Sequence, residues 1–250
     1  MDQPLIARLQ KDKPLLGTLL TTDSTELAEA LTLAGWGWFF IDLEHSAMQF
    51  SAAQRVIQAI AARAYTVIRV PDHTAGNIKK ALDMGCDGII VPLVNSATEA
   101  SQIVSLSKYS PLGERSVGIG RAQGYGIKFQ EYIQSANQHV AVIVQIEHRE
   151  AIENLDTILQ VKGIDGIFVG PYDLSASMGL MGQVSHPDVA AAIAKVRERC
   201  RSKEIPFGIY CATAEKAALE IKEGCKLVAI GTDLSHAVKS ASDTIKQFQS

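Results

Sequence analysis

The strongest constraint on the fold is a set of eight short apolar stretches that recur along the whole chain. Most of them are unbroken rather than alternating with polar residues. An unbroken apolar run of this length is typical of a parallel β-strand that is covered on both faces. The eight predicted strands span 15–20, 38–43, 66–70, 88–94, 140–146, 166–170, 206–210 and 227–231.

Alanine-rich segments with a helical period separate these stretches. The clearest are 51–64, 75–85, 187–203 and 212–224, so each strand is predicted to be followed by a helix. A glycine precedes four of the strands, where it would end a helix and turn the chain. These glycines are Gly35, Gly85, Gly163 and Gly224. Helix starts are marked most clearly by Asp23 to Glu26, which resembles a capping box.

Eight strand–helix units predict an α/β fold, a closed (β/α)8 TIM barrel formed by one domain over residues 1–250. A doubly wound open sheet is the alternative. No G-x-G-x-x-G follows the first strand, which argues against the dinucleotide-binding version of that sheet.

Composition excludes several classes of protein. The chain has 250 residues, with 24 Lys and Arg against 27 Asp and Glu, so it lacks the basic excess of a nucleic-acid binder. No apolar run approaches the roughly 18 residues that would span a bilayer, and residues 1–14 lack the apolar core of a secretory signal. The four cysteines form no C-x-x-C pair, which favours buried free thiols over disulfides or zinc. We therefore expect a cytoplasmic protein with no nucleic-acid or membrane partner.

Two segments depart from the repeating pattern. Residues 108–139 contain several glycines among polar residues with little periodicity, and a connection this long is uncommon without a function. Three roles remain open for this segment: it covers the active site, forms a subunit contact, or is a plain surface loop. The last predicted helix, 234–248, places its apolar residues on one face, which packs either on its own barrel or on a neighbour's.

Polar residues gather where several predicted strands end. In a barrel, the carboxyl ends of the strands and the loops after them form one rim, which carries the active site. Each residue alone has a structural explanation, such as a helix cap or a balanced charge. Their convergence on one rim favours a functional site, because buried charges are costly unless they pair or bind something. The candidates are Asp42, Glu44, His45, Arg69, Gln145, Glu147, Gly170, Pro171, Tyr172 and Asp173.

The residue types indicate the chemistry. Two carboxylates and a glutamine without cysteine favour a hard cation such as Mg²⁺ or Mn²⁺ over structural zinc. None of the fourteen lysines lies inside a predicted core strand or at its carboxyl end, which disfavours a Schiff-base mechanism. The chain also lacks a G-x-S-x-G elbow and a P-loop.

Six motifs resemble the metal-dependent class II pyruvate aldolases, the group of 4-hydroxy-2-oxoheptanedioate aldolase and 2-dehydro-3-deoxyglucarate aldolase. The resemblance runs from about residue 15 to 235, with the motifs in order. They are GWGWFFIDLEHS (35–46), VIRVP (67–71), IKKALDMGCDGIIVP (78–92), YSPLGERSVG (109–118), VQIE (144–147) and VGPYDLSASMG (169–179).

This resemblance implies a barrel of the phosphoenolpyruvate/pyruvate type, often a hexamer built as a trimer of dimers with its final helix exchanged between subunits. It also implies a role for each matching residue. Glu147 and Asp173 would hold a divalent ion, with Mg²⁺ or Mn²⁺ expected and Co²⁺ as an alternative. Gln145, Asp173 and the backbone over Gly170, Pro171 and Tyr172 would hold the 2-oxo acid.

The proton chemistry is implied by the same resemblance. His45 would accept the proton, and Asp83, contributed by a neighbouring chain, would raise the basicity of His45. Arg69 would stabilise the developing oxyanion. Asp42 and Glu44 would hold His45 and Arg69 in position without contacting the substrate. Three departures bear on the aldehyde preference. They are Tyr172, where the family usually has a small residue, His148 after Glu147, and Ala47-Met48 after Ser46.

The activity implied is reversible cleavage of a 4-hydroxy-2-oxo acid, such as 4-hydroxy-2-oxoheptanedioate or a 2-dehydro-3-deoxy sugar acid. The products would be pyruvate, formed through an enolate that the metal stabilises, and an aldehyde. Such an enzyme would serve the breakdown of aromatic or sugar acids. Two alternatives remain at this point. One is a malyl- or citramalyl-thioester lyase, for which no basic cluster suited to coenzyme A is evident, and the other is a non-catalytic barrel that binds an oxo acid.

Overall fold

The computed structural model describes residues 3–249 and contains a closed barrel of eight parallel strands. Each strand pairs with the next along the chain, and β8 pairs with β1 to close the barrel. This is the (β/α)8 architecture predicted from the sequence. The strands are β1 (Leu15–Leu20), β2 (Trp38–Asp42), β3 (Tyr65–Arg69), β4 (Gly88–Val91), β5 (Ala141–Ile146), β6 (Gly166–Val169), β7 (Phe207–Cys211) and β8 (Leu227–Thr232).

Helices connect the strands on the outside of the barrel. A short helix, α1, precedes β1, and a 3-10 turn at Gly124–Gly126 precedes α6. The α-helices are α1 (Leu5–Leu9), α2 (Thr25–Leu33), α3 (Phe50–Ile60), α4 (Ala75–Asp83), α5 (Ala97–Ser107), α6 (Phe129–His139), α7 (Arg149–Glu153), α8 (Leu155–Ile158), α9 (Pro171–Ser177), α10 (Pro187–Ser202), α11 (Ala214–Lys222) and α12 (Asp233–Lys246).

The apolar stretches are unbroken because the strands are buried on both faces. One set of side chains fills the barrel interior, where Trp38 and Phe40 pack edge-on against Phe168. The opposite set packs under the helices in a larger core. The four cysteines lie in this protein interior as buried free thiols.

Local signals located the helix ends to within a few residues. Gly35, Gly85, Gly163 and Gly224 all have positive φ, as predicted for residues that end a helix. The capping-box prediction was shifted by one residue. The N-cap of α2 is Ser24 rather than Asp23, and its side chain accepts the backbone N–H of Leu27.

Residues 108–128 connect α5 to α6 at the amino-terminal end of the barrel. Lys108 shows this location, because its Nζ donates to the carbonyl of Val140 and lies 3.1 Å from the carboxylate of Asp165, just before β5 and β6 respectively. The active-site rim lies at the opposite end. The segment therefore does not cover the rim of its own chain, which leaves the subunit contact and the surface loop.

The last helix leaves its apolar face uncovered. Val238 is 63% exposed and Ile245 55% exposed, so this face does not pack on its own barrel. The sequence left open whether this face packs on the chain's own barrel or on a neighbour's. Packing on its own barrel is therefore wrong. No helix within residues 3–249 combines the length and apolarity needed to cross a bilayer.

Candidate active site

The predicted site residues that follow β2, β3, β5 and β6 lie at one end of the barrel. All the strands are parallel, so their carboxyl ends form one rim. His45 comes three residues after the end of β2, and Arg69 is the last residue of β3. Glu147 directly follows β5, and Asp173 lies in the first turn of α9, just after β6. The convergence inferred from the sequence is therefore present in the fold.

Asp42 and Arg69 form a buried pair at this rim. They are register partners on β2 and β3, and the Nε and Nη2 atoms of Arg69 donate to the two carboxylate oxygens of Asp42 at 2.9 and 2.7 Å. Burial alone would lower the pKa of Arg69, but its contacts with Asp42 raise the pKa overall. Within residues 3–249, Nη1 of Arg69 donates no hydrogen bond, so it is available to a ligand.

Asp42 also shapes the loop that carries His45. Its Oδ1 accepts the backbone N–H groups of Glu44 and His45 at 3.0 and 3.2 Å. The imidazole of His45 is 62% exposed, and its Nε2 lies 3.7 Å from Oε2 of Glu44. That same Glu44 oxygen lies 3.2 Å from Nε of Arg69. Burial raises the pKa of Glu44 to about 7, against the opposing charge of Arg69.

Glu147 is a buried carboxylate with two defined donors. Its Oε1 accepts the backbone N–H of Leu93 at 2.8 Å, and its Oε2 accepts from Nε2 of Gln145. Burial raises the pKa of Glu147, and the nearby charge of Asp173 raises it further. The amide oxygen of Gln145 is buried and has no hydrogen-bond partner in the described part of the chain. An acceptor in this state calls for a ligand.

Gly170 allows the β6 end to approach these two side chains. A Cβ at this position would lie 2.6 Å from Oε2 of Glu147 and 3.1 Å from Nε2 of Gln145. Only glycine fits this close approach. The chain then enters α9 through Pro171.

Tyr172 and Asp173 lie exposed on the first turn of α9. The Tyr172 ring is 6.2 Å from that of Tyr210 on β7. Both rings and Pro171 line one end of a cavity of about 420 Å³ that continues between α10 and α11.

The donor set at the rim fits a hard divalent ion. Across residues 3–249, no three His, Cys, Asp or Glu side chains are grouped as a complete metal site. Mg²⁺ in enzymes commonly uses one or two carboxylates and completes its shell with water and substrate. Glu147, Asp173 and the unpartnered oxygen of Gln145 agree with that pattern, so the residues present fit the ion predicted from the sequence.

Asp83 lies away from this rim. It is the last residue of α4, not part of the turn that follows, and it precedes β4 at the amino-terminal end of the barrel. Its Oδ1 accepts from Nη2 of Arg115 at 2.9 Å. Within one chain Asp83 and His45 therefore lie at opposite ends of the barrel. Only the Asp83 of another chain could reach His45.

Two residues at the site, Leu93 and Tyr210, were not among those predicted from the sequence. Leu93 supplies its N–H to Glu147 from a left-handed backbone conformation, with φ of 53°. Nothing in the side-chain pattern signals such a backbone contact. Tyr210 reaches the barrel mouth because it lies at the carboxyl end of β7, and the predicted end of that strand at residue 210 was a usable signal.

Comparisons with known proteins agree with the fold and show the family. Residues 16–240 match the family model described as HpcH/HpaI aldolase/citrate lyase. A 4-hydroxy-2-oxo-heptane-1,7-dioate aldolase of Escherichia coli is 36% identical, over 99% of this chain and 95% of the relative. A 2-dehydro-3,6-dideoxy-6-sulfogluconate aldolase of Pseudomonas putida is 35% identical, over 95% and 93%. A crystal structure of a family protein from Burkholderia cenocepacia superposes with a TM-score of 0.95 at 33% identity, covering 98% of this chain and 99% of that one.

Proposed function

The chain belongs to the HpcH/HpaI aldolase/citrate lyase family, as its motifs predicted, and we propose that it is a divalent-metal-dependent class II aldolase. It would cleave a 4-hydroxy-2-oxo acid reversibly into pyruvate and an aldehyde. The observation that carries this proposal is the buried carboxylate of Glu147, whose pKa the charge of Asp173 raises and which accepts a hydrogen bond from Gln145, a side chain with an unpartnered amide oxygen. Arg69 and His45 lie at the same rim.

Glu147 and Asp173 would hold the ion, with Mg²⁺ or Mn²⁺ expected and Co²⁺ as an alternative. Both offer the carboxylate oxygens that hard cations prefer. When bound, the ion supplies a Lewis acid that polarises the 2-oxo group and stabilises negative charge on it. The hydrogen bonds from Leu93 and Gln145 fix the carboxylate of Glu147, so it is oriented before the ion arrives.

Gln145 and the first turn of α9 would bind the pyruvate part of the substrate. The amide nitrogen of Gln145 donates one of its two hydrogens to Glu147, and its second hydrogen can be donated to a substrate oxygen. At the start of α9, Pro171 has no N–H and the N–H of Gly170 donates to the carbonyl of Ile146, so the N–H groups without a partner inside the helix begin at Tyr172. The turn Gly170-Pro171-Tyr172 therefore offers the N–H of Tyr172 to a substrate carboxylate. Gly170 keeps this backbone close to the carboxylate of Glu147.

His45 would act as the base in cleavage. Its Nε2 would take the proton from the C4 hydroxyl as the bond between C3 and C4 breaks and the aldehyde leaves. Histidine is the side chain most often used as a general base, and the exposed imidazole of His45 is open to a substrate at the rim. The free Nη1 of Arg69 would donate to the developing oxyanion, while Asp42 and Glu44 keep the guanidinium in position.

We propose that the active form is an oligomer, a hexamer arranged as a trimer of dimers, in which α12 packs on a neighbouring subunit. The uncovered apolar face of α12 supports this, as do exposed leucines on β1, α2 and α11. These leucines are Leu16, Leu33 and Leu219. In such an assembly a neighbour's Asp83 would approach His45.

The relatives named above support substrates from the breakdown of aromatic or sugar acids, with a small-molecule aldehyde as the second product. The departure at Tyr172 bears on which aldehyde is accepted, because this ring lines the cavity of about 420 Å³ and adjoins Asp173 in the chain. A cytoplasmic location and a single domain over residues 1–250 stay predictions.

The test couples pyruvate release to lactate dehydrogenase across a panel of 4-hydroxy-2-oxo acids, with and without a chelator. Wild-type protein should release pyruvate only with metal. Glu147→Gln should lose both turnover and binding of Mn²⁺, measured by calorimetry. The matched control is Glu153→Gln on the exposed face of α7, which should behave like wild type. Turnover that survives complete removal of metal would reject the class II mechanism.

A further inference from the structure

Arg115 and other residues of the segment 108–128 contact Asp83. The proposed chemistry at the rim does not explain these contacts. The guanidinium of Arg115 is almost fully buried, with 1% of its side chain exposed, whereas 26% of the Asp83 side chain is exposed. Nη2 of Arg115 donates to Oδ1 of Asp83 at 2.9 Å. A buried cation thus points at a carboxylate on the protein surface.

Aromatic rings fix the guanidinium in place. Its central carbon lies 4.5 Å from the ring centroid of Tyr109 and 5.5 Å from that of Tyr132. Nη1 donates to the hydroxyl of Tyr132 at 3.2 Å. The backbone of Tyr109 is in turn held by both ends of the Asn137 side chain, at 2.7 and 2.8 Å. Arg115 therefore has little freedom to follow Asp83 if that carboxylate moves.

The segment 108–128 also forms a hydrogen bond with the backbone of Asp83. The N–H of Ala122 donates to the carbonyl of Asp83 at 3.0 Å. A Cβ at Gly120 would lie 3.0 Å from the same carbonyl oxygen, so any larger residue there would press on this carbonyl. Two separate contacts, one to the side chain and one to the main chain, hold a single residue.

The helix dipole disfavours a carboxylate at this position, and the contact with Arg115 offsets that cost. Asp83 is the last residue of α4, where the helix dipole presents negative charge. Its second oxygen, Oδ2, accepts no hydrogen bond within residues 3–249. The side chain borders an open groove of about 460 Å³ that Lys80 and Arg121 also line. The fold thus holds a carboxylate with one unpaired oxygen at the border of this groove.

We propose that Arg115 is a positioning residue that orients Asp83 so that its free oxygen can accept a hydrogen bond from His45 of a second copy of this chain. The inference rests on the proposed aldolase function and on the proposed assembly. It gives the glycine-rich segment 108–128 a role, namely to hold a carboxylate that serves a neighbour's active site. Arg115 itself touches neither substrate nor metal.

A double-mutant cycle tests this role. Purified wild type, Asp83→Asn, Arg115→Lys and the double variant are compared by pyruvate release with saturating Mn²⁺, after their assembly has been checked by light scattering. Loss of a partner that tunes a general base should cost about 10- to 100-fold in kcat for Asp83→Asn. Arg115→Lys should lower kcat by roughly 5- to 50-fold with KM within about twofold, because lysine cannot keep the forked contact.

The decisive result is the double variant. If Arg115 acts through Asp83, Arg115→Lys should cause no further loss in the Asp83→Asn background. Additive losses, or an unchanged kcat in Arg115→Lys, would overturn the proposal. Should Arg115→Lys fail to fold, Tyr132→Phe removes one hydrogen bond to the guanidinium and keeps the ring, and its smaller loss in kcat should likewise vanish when Asp83 is Asn. Additivity in that pair would equally overturn the proposal.

Controls separate this inference from the function on which it rests. Arg63→Lys changes an exposed arginine that pairs with Glu29, and it should leave kcat and KM unchanged. If wild type shows no metal-dependent pyruvate release, the proposed function fails. If wild type is active and Asp83→Asn is as fast, the aldolase function stands and the role of Arg115 is refuted.

Discussion

Asp233 is predicted to be a large contributor to stability, because it ties the start of α12 to the loop after β1. Its side chain is buried and accepts from both the backbone and the hydroxyl of Thr21, at 3.1 and 2.7 Å. It accepts from the same two groups of Thr22, at 3.0 and 2.8 Å. The N–H of Leu234 is a further donor at 2.9 Å.

Asp233→Asn replaces one acceptor oxygen by an NH₂ group that faces donors. At least one buried N–H then loses its partner, and the remaining hydrogen bonds lose their charge. Charged hydrogen bonds contribute about 1.5–3 kcal/mol each and neutral ones about 0.5–1.5, so we expect a loss of about 3–5 kcal/mol in the free energy of unfolding.

Urea unfolding at a fixed protein concentration measures this loss, because the stability of an oligomer depends on concentration. Asp243→Asn is the matched control, since Asp243 lies exposed on the same helix and pairs only with lysines. The control should leave the midpoint unchanged. If Asp233→Asn also leaves the midpoint unchanged, the predicted contribution of Asp233 to stability is wrong.

The pH dependence provides a second check on Asp233. Although burial opposes it, the hydrogen bonds from Thr21 and Thr22 lower the pKa of Asp233 overall. A carboxyl group with a lowered pKa stabilises the fold above its unfolded pKa, roughly 3.9, and this contribution is lost as pH falls through the folded pKa. The difference in stability between wild type and Asp233→Asn should therefore shrink below about pH 4.

Three further predictions concern the site and the assembly. Because burial raises the pKa of Glu44 to about 7, metal-free wild type should lose stability as pH rises from 5 to 8. Glu44→Gln should be more stable than wild type by about 1–2 kcal/mol at pH 8, and no difference in urea titrations would contradict this. Gly170→Ala places a Cβ 2.6 Å from a carboxylate oxygen of Glu147 and should weaken Mn²⁺ binding at least tenfold by calorimetry. The control Gly76→Ala meets no atom within 4 Å and should bind Mn²⁺ like wild type. Val238→Asp puts a charge on the uncovered face of α12 and should yield a smaller assembly by light scattering, whereas an unchanged mass would mean that this face is not an interface.

The barrel and the residues at its rim could be predicted from the sequence because both depend on local patterns of apolar, glycine and polar residues. A strand buried on both faces must be an unbroken apolar run, and a helix that turns back into a strand often ends at a glycine such as Gly85. Once eight strands are parallel, the residues after them must share one end. His45, Arg69 and Glu147 could therefore be grouped although a hundred residues separate the first from the last.

The tertiary structure alone decided which atoms meet. The N–H of Leu93 reaches Glu147 across 54 positions of the chain, and Arg115 reaches Asp83 across 32. These contacts depend on strand register and on the path of irregular segments, which no periodicity encodes. The same holds for α12, whose amphipathic pattern fits packing on its own barrel or on another. Its exposed face answers that question, because a helix leaves apolar side chains in water only where its own barrel does not cover them.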